Sequence, residues 1–154
     1  MTHPFDSTHP TLDDLEAIYS GAFYKTMRDN DGDLVVRTEH YFFCHTVNKH
    51  GFVRVVAYFH AREGVDEGLI YALANEFNAQ VHFVKCYYYG GPARTLIFET
   101  DMNTEGGLVP VQLVTRLRAF ERILDRSHPM DEVIGPAPTV TQPQPDVAST
   151  PAPN

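Results

Sequence analysis

The chain of 154 residues is long enough for one globular domain, and its 43% of apolar residues, with 10 Phe and 8 Tyr, excludes wholesale disorder. Its net charge is −8, which argues against a nucleic-acid partner or an anionic membrane surface. Its two cysteines are too few for a disulfide framework. There is no signal-peptide pattern, and no apolar run approaches the roughly 20 residues of a membrane span, so we expect a soluble cytoplasmic protein.

The two ends of the chain differ in composition from its centre. Residues 1–10 carry two prolines and are expected to form a loose leader. Residues 135–154 hold six of the eleven prolines, one charged residue and no aromatic residue. Such a segment buries too little apolar surface to offset the entropy of ordering, so a disordered tail with polyproline II character is expected. The folded domain is therefore placed at residues 11–134.

Three helices are predicted in this domain. The first runs from Thr11 to about Ser20, because Thr11 and Asp14 fit a capping box and Gly21 can end the helix. The second runs from Val65 to about Asn78, with apolar residues recurring every four positions. The third begins near Pro110, which suits a first helical position, and reaches about Arg126.

Three hairpins lie between these helices. Their strands are predicted at Phe23–Arg28 with Asp33–Arg37, His40–Val47 with Phe52–His60, and Val81–Tyr89 with Ala93–Thr100. Whether residues 33–47 form one bent strand or two stays open at this point. The order α-ββ(ββ)-α-ββ-α predicts an α+β fold in which an antiparallel sheet packs against three helices.

The second hairpin allows a prediction of which side chains share a face. If Lys49 and His50 form the loop, opposite residues have numbers that add to 99. The small apolar set, which is expected in the core, is then His40, Phe42, Cys44 and Thr46 with Val53, Val55, Ala57 and Phe59. The other face carries Tyr41, Phe43, His45 and Val47 with Phe52, Arg54, Val56 and Tyr58, and it suits a half-buried contact surface. A loop one residue longer would exchange the faces of one strand.

No catalytic or metal motif is found. Neighbours Cys44 and His45 would point to opposite faces of a strand, and no histidine pair has helical i, i+4 spacing. Asp29, Asp31 and Asp33 resemble a calcium loop, but Leu34 stands where that loop needs glycine. We therefore expect no metal, no cofactor and no catalytic residues.

The segment from Leu69 to Leu124 resembles the YbjN-like family, whose members have the fold of type III secretion chaperones. The resemblance is carried by three elements. They are the helix over residues 69–78, which contains Asn75 and Asn78, the strand that contains Val81 and Phe83, and the strand over residues 95–100. It continues through Gly106, Gly107 and Leu108 into the last helix. It extends over roughly residues 11–130 and implies a homodimer-forming α+β domain that takes part in sensory-transduction regulation.

These observations predict a non-enzymatic protein-binding or regulatory domain, acting as a homodimer with a protein or peptide partner. The predicted partner or dimer surface contains seven residues, Tyr41, Phe43, His45, Arg54, Tyr58, Tyr71 and Tyr88. One alternative is a type III secretion-type chaperone with a cognate effector. A further alternative, from another class, is a small enzyme that uses His45, His60 and Glu99, although no spacing rule connects these three.

Overall fold

The computed structural model describes residues 10–104, 107–127 and 130–134, so the predicted leader up to residue 9 and the predicted tail lie outside the described residues. Its three helices are α1 (Leu12–Gly21), α2 (Glu67–Gln80) and α3 (Pro110–Asp125). Its six strands are β1 (Lys25–Arg28), β2 (Leu34–Arg37), β3 (Phe42–Val47), β4 (Phe52–His60), β5 (Lys85–Tyr89) and β6 (Thr95–Asn103). Residues 33–47 therefore form two strands, because Thr38 and Tyr41 close a turn between them.

The helix ends follow local rules with one exception. Thr11 and Asp14 form the predicted capping box of α1, and Asp66 caps α2 by accepting a hydrogen bond from the Leu69 amide. The N-cap residue of α3 is Val109, whose side chain makes no capping hydrogen bond, and Pro110 occupies the first turn of the helix. The exception is the end of α1, where Gly21 is the last helical residue and the left-handed residue is Phe23, with φ of 66°.

All sheet pairings are antiparallel, in the order β1-β2-β3-β4-β6-β5. The helices pack on one face of this sheet, because the side chains of that face and the inward sides of α1, α2 and α3 form one buried cluster. In the middle of the cluster, the ring centroids of Phe43 on β3 and Phe120 on α3 are 5.0 Å apart. Those of Phe98 on β6 and Phe77 on α2 are 5.1 Å apart. The predicted α+β fold with an antiparallel sheet and three helices is confirmed.

The predicted register of the second hairpin is wrong by one residue. Cys44 lies opposite Val56, so the numbers of opposite residues add to 100. The loop contains three residues because Gly51 adopts φ of 78°, while the Asn48 carbonyl accepts the Gly51 amide at 3.1 Å. On β4 the predicted core residues are buried, but on β3 the faces are exchanged.

The opposite face of the sheet carries no helix among the described residues, and we call it the open face. Its side chains come from the even-numbered residues of β3 and β4 and from the odd-numbered residues of β5 and β6 that pair with them. None of the described helices combines the length and the apolar composition of a membrane-spanning segment.

Candidate interaction surface

The centre of the open face holds a short row of large apolar side chains. Tyr58 of β4 is paired with Ile97 of β6, which is paired with Tyr87 of β5. We call these three residues the tyrosine row. Tyr58 is 51% exposed and Tyr87 is 40% exposed, and Tyr89, in the next row of the same face, is 68% exposed. Aromatic side chains of this size that keep so much exposed area are typical of contact surfaces.

Charged residues border the tyrosine row on one side. Arg54 donates to Asp101 through Nε at 3.0 Å and through Nη2 at 3.5 Å, and its Nε lies 3.9 Å from Glu99. The Tyr87 hydroxyl donates to the same Glu99 carboxylate at 3.1 Å. Burial and the Glu99 carboxylate raise the pKa of Tyr87, and burial raises the pKa of Tyr58, so both phenols stay neutral near neutral pH. This border can offer polar contacts at the edge of an apolar patch.

The structure corrects the predicted exposure of Phe43 and His45. Both side chains are completely buried on the face that packs against the helices. His45 Nε2 lies 2.9 Å from the Tyr19 hydroxyl and Nδ1 lies 3.0 Å from the Phe43 carbonyl. The carbonyl can only accept, so Nδ1 carries the proton and Nε2 accepts from Tyr19. Burial lowers the pKa of His45 to about 4, and the imidazole is a neutral part of the core.

Three other residues of the predicted surface lie away from the open face. Tyr41 is half-buried, and its hydroxyl donates to Asp125 of α3 at 2.9 Å. Tyr88 is 7% exposed and donates to Glu67 at 3.0 Å, with its ring 5.3 Å from that of Tyr71. Tyr71 itself is 49% exposed on α2. Of the seven predicted residues, the structure brings only Arg54 and Tyr58 together on the open face.

One edge of the sheet is already partly satisfied by a side chain. The Asn78 carboxamide donates to the Cys86 carbonyl and accepts from the Cys86 amide, both at 2.7 Å. These bonds occupy backbone groups that a further strand would need at the outer edge of β5. A strand added at this edge would therefore have to displace the Asn78 side chain from Cys86.

The acidic hairpin loop comes closer to a metal-binding arrangement than the sequence suggested. Cys44 Sγ lies 4.0 Å from Asp29 Oδ2 and 3.9 Å from Asp33 Oδ2. Burial and these carboxylates raise the pKa of the Cys44 thiol to about 12, so without a bound cation it is a neutral thiol. Asp29 Oδ1 also accepts the Asp31 and Asp33 amides at 3.0 and 2.9 Å, so the Asp29 carboxylate supports the turn.

The residues of the enzyme alternative do not converge. His45 lies on the helix-covered face, whereas Glu99 lies opposite Val56 on the open face. His60 Nδ1 lies 3.0 Å from the Ala93 carbonyl at the end of β4. The sheet thus separates His45 from Glu99, and this alternative has no geometric support.

The sequence prediction missed Ile97 and Tyr87 as members of the surface. Both residues join the surface because β6 pairs with β4, which lies far from it in the sequence. A pairing between distant segments leaves no local signal in the sequence. The alternation of Lys85, Tyr87 and Tyr89 on one face of β5 was the available clue.

The comparisons with known proteins give one family match and one similar fold. The model of the family described as "YbjN: Putative bacterial sensory transduction regulator" matches residues 11–131. The fold is similar to "Crystal structure of YbjN, a putative transcription regulator from E. coli", with a TM-score of 0.70 and 15% sequence identity, over 83% of this chain and 97% of that chain. No curated relative matches the sequence. At this identity the structural likeness concerns the fold alone, but the family match spans most of the described domain, and the chain belongs to the YbjN family.

Proposed function

We propose that this chain is a non-enzymatic regulatory domain that binds a protein partner in the cytoplasm through its open face. The observation that carries the proposal is the tyrosine row, whose two tyrosines are 51% and 40% exposed on a face that no described helix covers. The description of the family, as a sensory transduction regulator, favours a regulator over an enzyme. The paired charges of Arg54 and Asp101 would form the polar rim around this apolar centre.

We also propose that the chain forms a homodimer, through α2 rather than through the open face. On this helix Tyr71 is 49% exposed, although its ring is large and mostly apolar. A second copy seated against the Tyr71 side of α2 would bury this ring and would leave the tyrosine row free for a partner. Light scattering should show a dimer, and Tyr71→Glu should give a monomer that keeps the circular-dichroism spectrum of the parent.

The partner-binding proposal is tested by affinity capture from the native cell with three versions of the full chain. The parent should enrich one or more polypeptides reproducibly, and Ile97→Asp with Tyr58→Ala should lose that enrichment. The matched control is Val111→Asp, because Val111 is 68% exposed but lies on α3, away from the open face. Capture that survives the open-face substitutions would overturn the proposal.

The same experiment separates a regulator from a secretion chaperone. A single abundant client that elutes in a fixed ratio to the chain would favour the chaperone alternative. Several regulatory proteins, or one that is captured in a condition-dependent way, would favour the regulator. Both outcomes require the tyrosine row, so they differ in the partner and not in the surface.

A further inference from the structure

The last described residues lie next to the end of β4. Ile134 forms an antiparallel bridge with Ala61, the residue that follows β4, and the Arg62 amide donates to the Val133 carbonyl at 2.8 Å. Arg62 Nε also donates to the Ile134 carbonyl at 2.8 Å. These contacts fix the place from which the remaining 20 residues of the chain continue.

The direction of this segment points back along β4. An antiparallel bridge means that the chain after Ile134 is directed from Ala61 towards His60 and Tyr58. The helix-covered side of this region is filled, because Met130 and Val133 are buried in the core. No described helix obstructs the other side of the sheet, which is the open face.

The distances suit a contact within one chain. Tyr58 is three residues from Ala61, which is about 10 Å along a strand. Tyr87 lies two strands beyond Tyr58 in the sheet order, which is about another 10 Å. Ten residues in polyproline II conformation span about 31 Å at about 3.1 Å per residue, so residues 136–145 can reach across the whole tyrosine row.

The chemistry of the two surfaces is complementary. Residues 136–145 contain Pro136, Pro138, Pro143 and Pro145 and no charged residue. Proline-rich segments bind rows of exposed aromatic side chains, because the fixed backbone of proline lowers the entropy cost of binding. A tether this short gives an effective concentration of about a millimolar, so a contact with millimolar affinity would already be about half occupied.

We propose that residues 136–145 of the chain bind the tyrosine row of the same molecule and so compete with a partner for the open face. The competition rests on the proposed function, but the contact itself does not require a partner. The proline-rich segment would act as an internal occupant that a stronger partner displaces. A partner that binds elsewhere would leave this contact in place.

Hydroxyl-radical footprinting of the full chain tests this contact through the oxidation rate of individual aromatic residues. In a variant with Ala at positions 136, 138, 143 and 145, Tyr58 should be oxidised about twofold faster than in the parent, as expected for a site that is half occupied. The ring of Phe23 is the internal reference, because it is 97% exposed and lies on neither the open face nor α2. The matched control replaces Pro151 and Pro153 by Ala and should leave Tyr58 unchanged.

Two results would overturn the proposal. The first is an equal oxidation rate of Tyr58 in the parent and in the four-alanine variant. The second is protection that disappears on dilution, which would mean that a second copy covers the open face. Neither result depends on affinity capture, so a failure of this contact can be distinguished from a failure of the proposed function.

Discussion

The buried imidazole of His45 makes the stability of the fold depend on pH. In the folded chain burial lowers its pKa to about 4, whereas the unfolded chain keeps the usual 6.5. Above pH 6.5 the imidazole is neutral in the folded and in the unfolded chain, and the free energy of unfolding has its full value. As the pH falls from 6.5 towards 4, only the unfolded chain gains the proton, so the free energy of unfolding decreases. At about 1.4 kcal/mol per pKa unit, the total loss from this one residue is about 3 kcal/mol, and it is complete only below pH 4.

Urea denaturation of the parent and of His45→Gln, followed by circular dichroism between pH 7 and 4, measures this contribution. The glutamine cannot take up a proton but can still accept from the Tyr19 hydroxyl. The parent should be the more stable at pH 7, and its advantage should shrink by about 3 kcal/mol between pH 7 and pH 4. The control His60→Gln changes an exposed histidine and should follow the parent. If the parent and His45→Gln lose stability in parallel, the reasoning is refuted.

Three substitutions test other contacts by urea denaturation at pH 7. Asn78→Ala removes two 2.7 Å hydrogen bonds to the Cys86 backbone and should lower the free energy of unfolding by about 1–3 kcal/mol, whereas Asn75→Ala, on the exposed side of α2, should change it little. Phe23→Gly should raise the free energy of unfolding by about 1 kcal/mol, because Phe23 is 97% exposed and its φ of 66° is strained for any residue except glycine. No gain in stability would contradict this strain. Phe43→Ala should lower the free energy of unfolding by about 3–5 kcal/mol and Phe23→Ala far less; equal losses would contradict the observed register.

Much of the fold could be predicted because its signals are local. The capping box of Thr11 and Asp14 and the proline at position 110 mark the starts of two helices, and both start within one residue of the predicted place. The start of α2 was predicted two residues early, at Val65, because Asp66 rather than an earlier residue caps it. The strand β4 was predicted with both of its ends correct.

The candidate surface was harder to predict because it depends on non-local pairings and on a single loop residue. The left-handed conformation of Gly51 adds one residue to the second hairpin loop and transfers Phe43 and His45 from the open face to the core. The first hairpin closes in the same way, with Gly32 at φ of 85° and its amide bonded to the Asp29 carbonyl. An Asp or Asn three residues before a glycine is therefore the sequence clue to both loops.

The exchange of faces also explains how an acidic chain keeps an apolar surface in water. With Phe43 and His45 buried, the open face loses two of its predicted large side chains and keeps Tyr58 beside the charged pair of Arg54 and Asp101. The apolar patch that remains is small, it is bordered by charge, and it lies within reach of a proline-rich segment of its own chain. A patch of this kind needs only a weak occupant to stay protected, and a partner that supplies more contacts can replace that occupant.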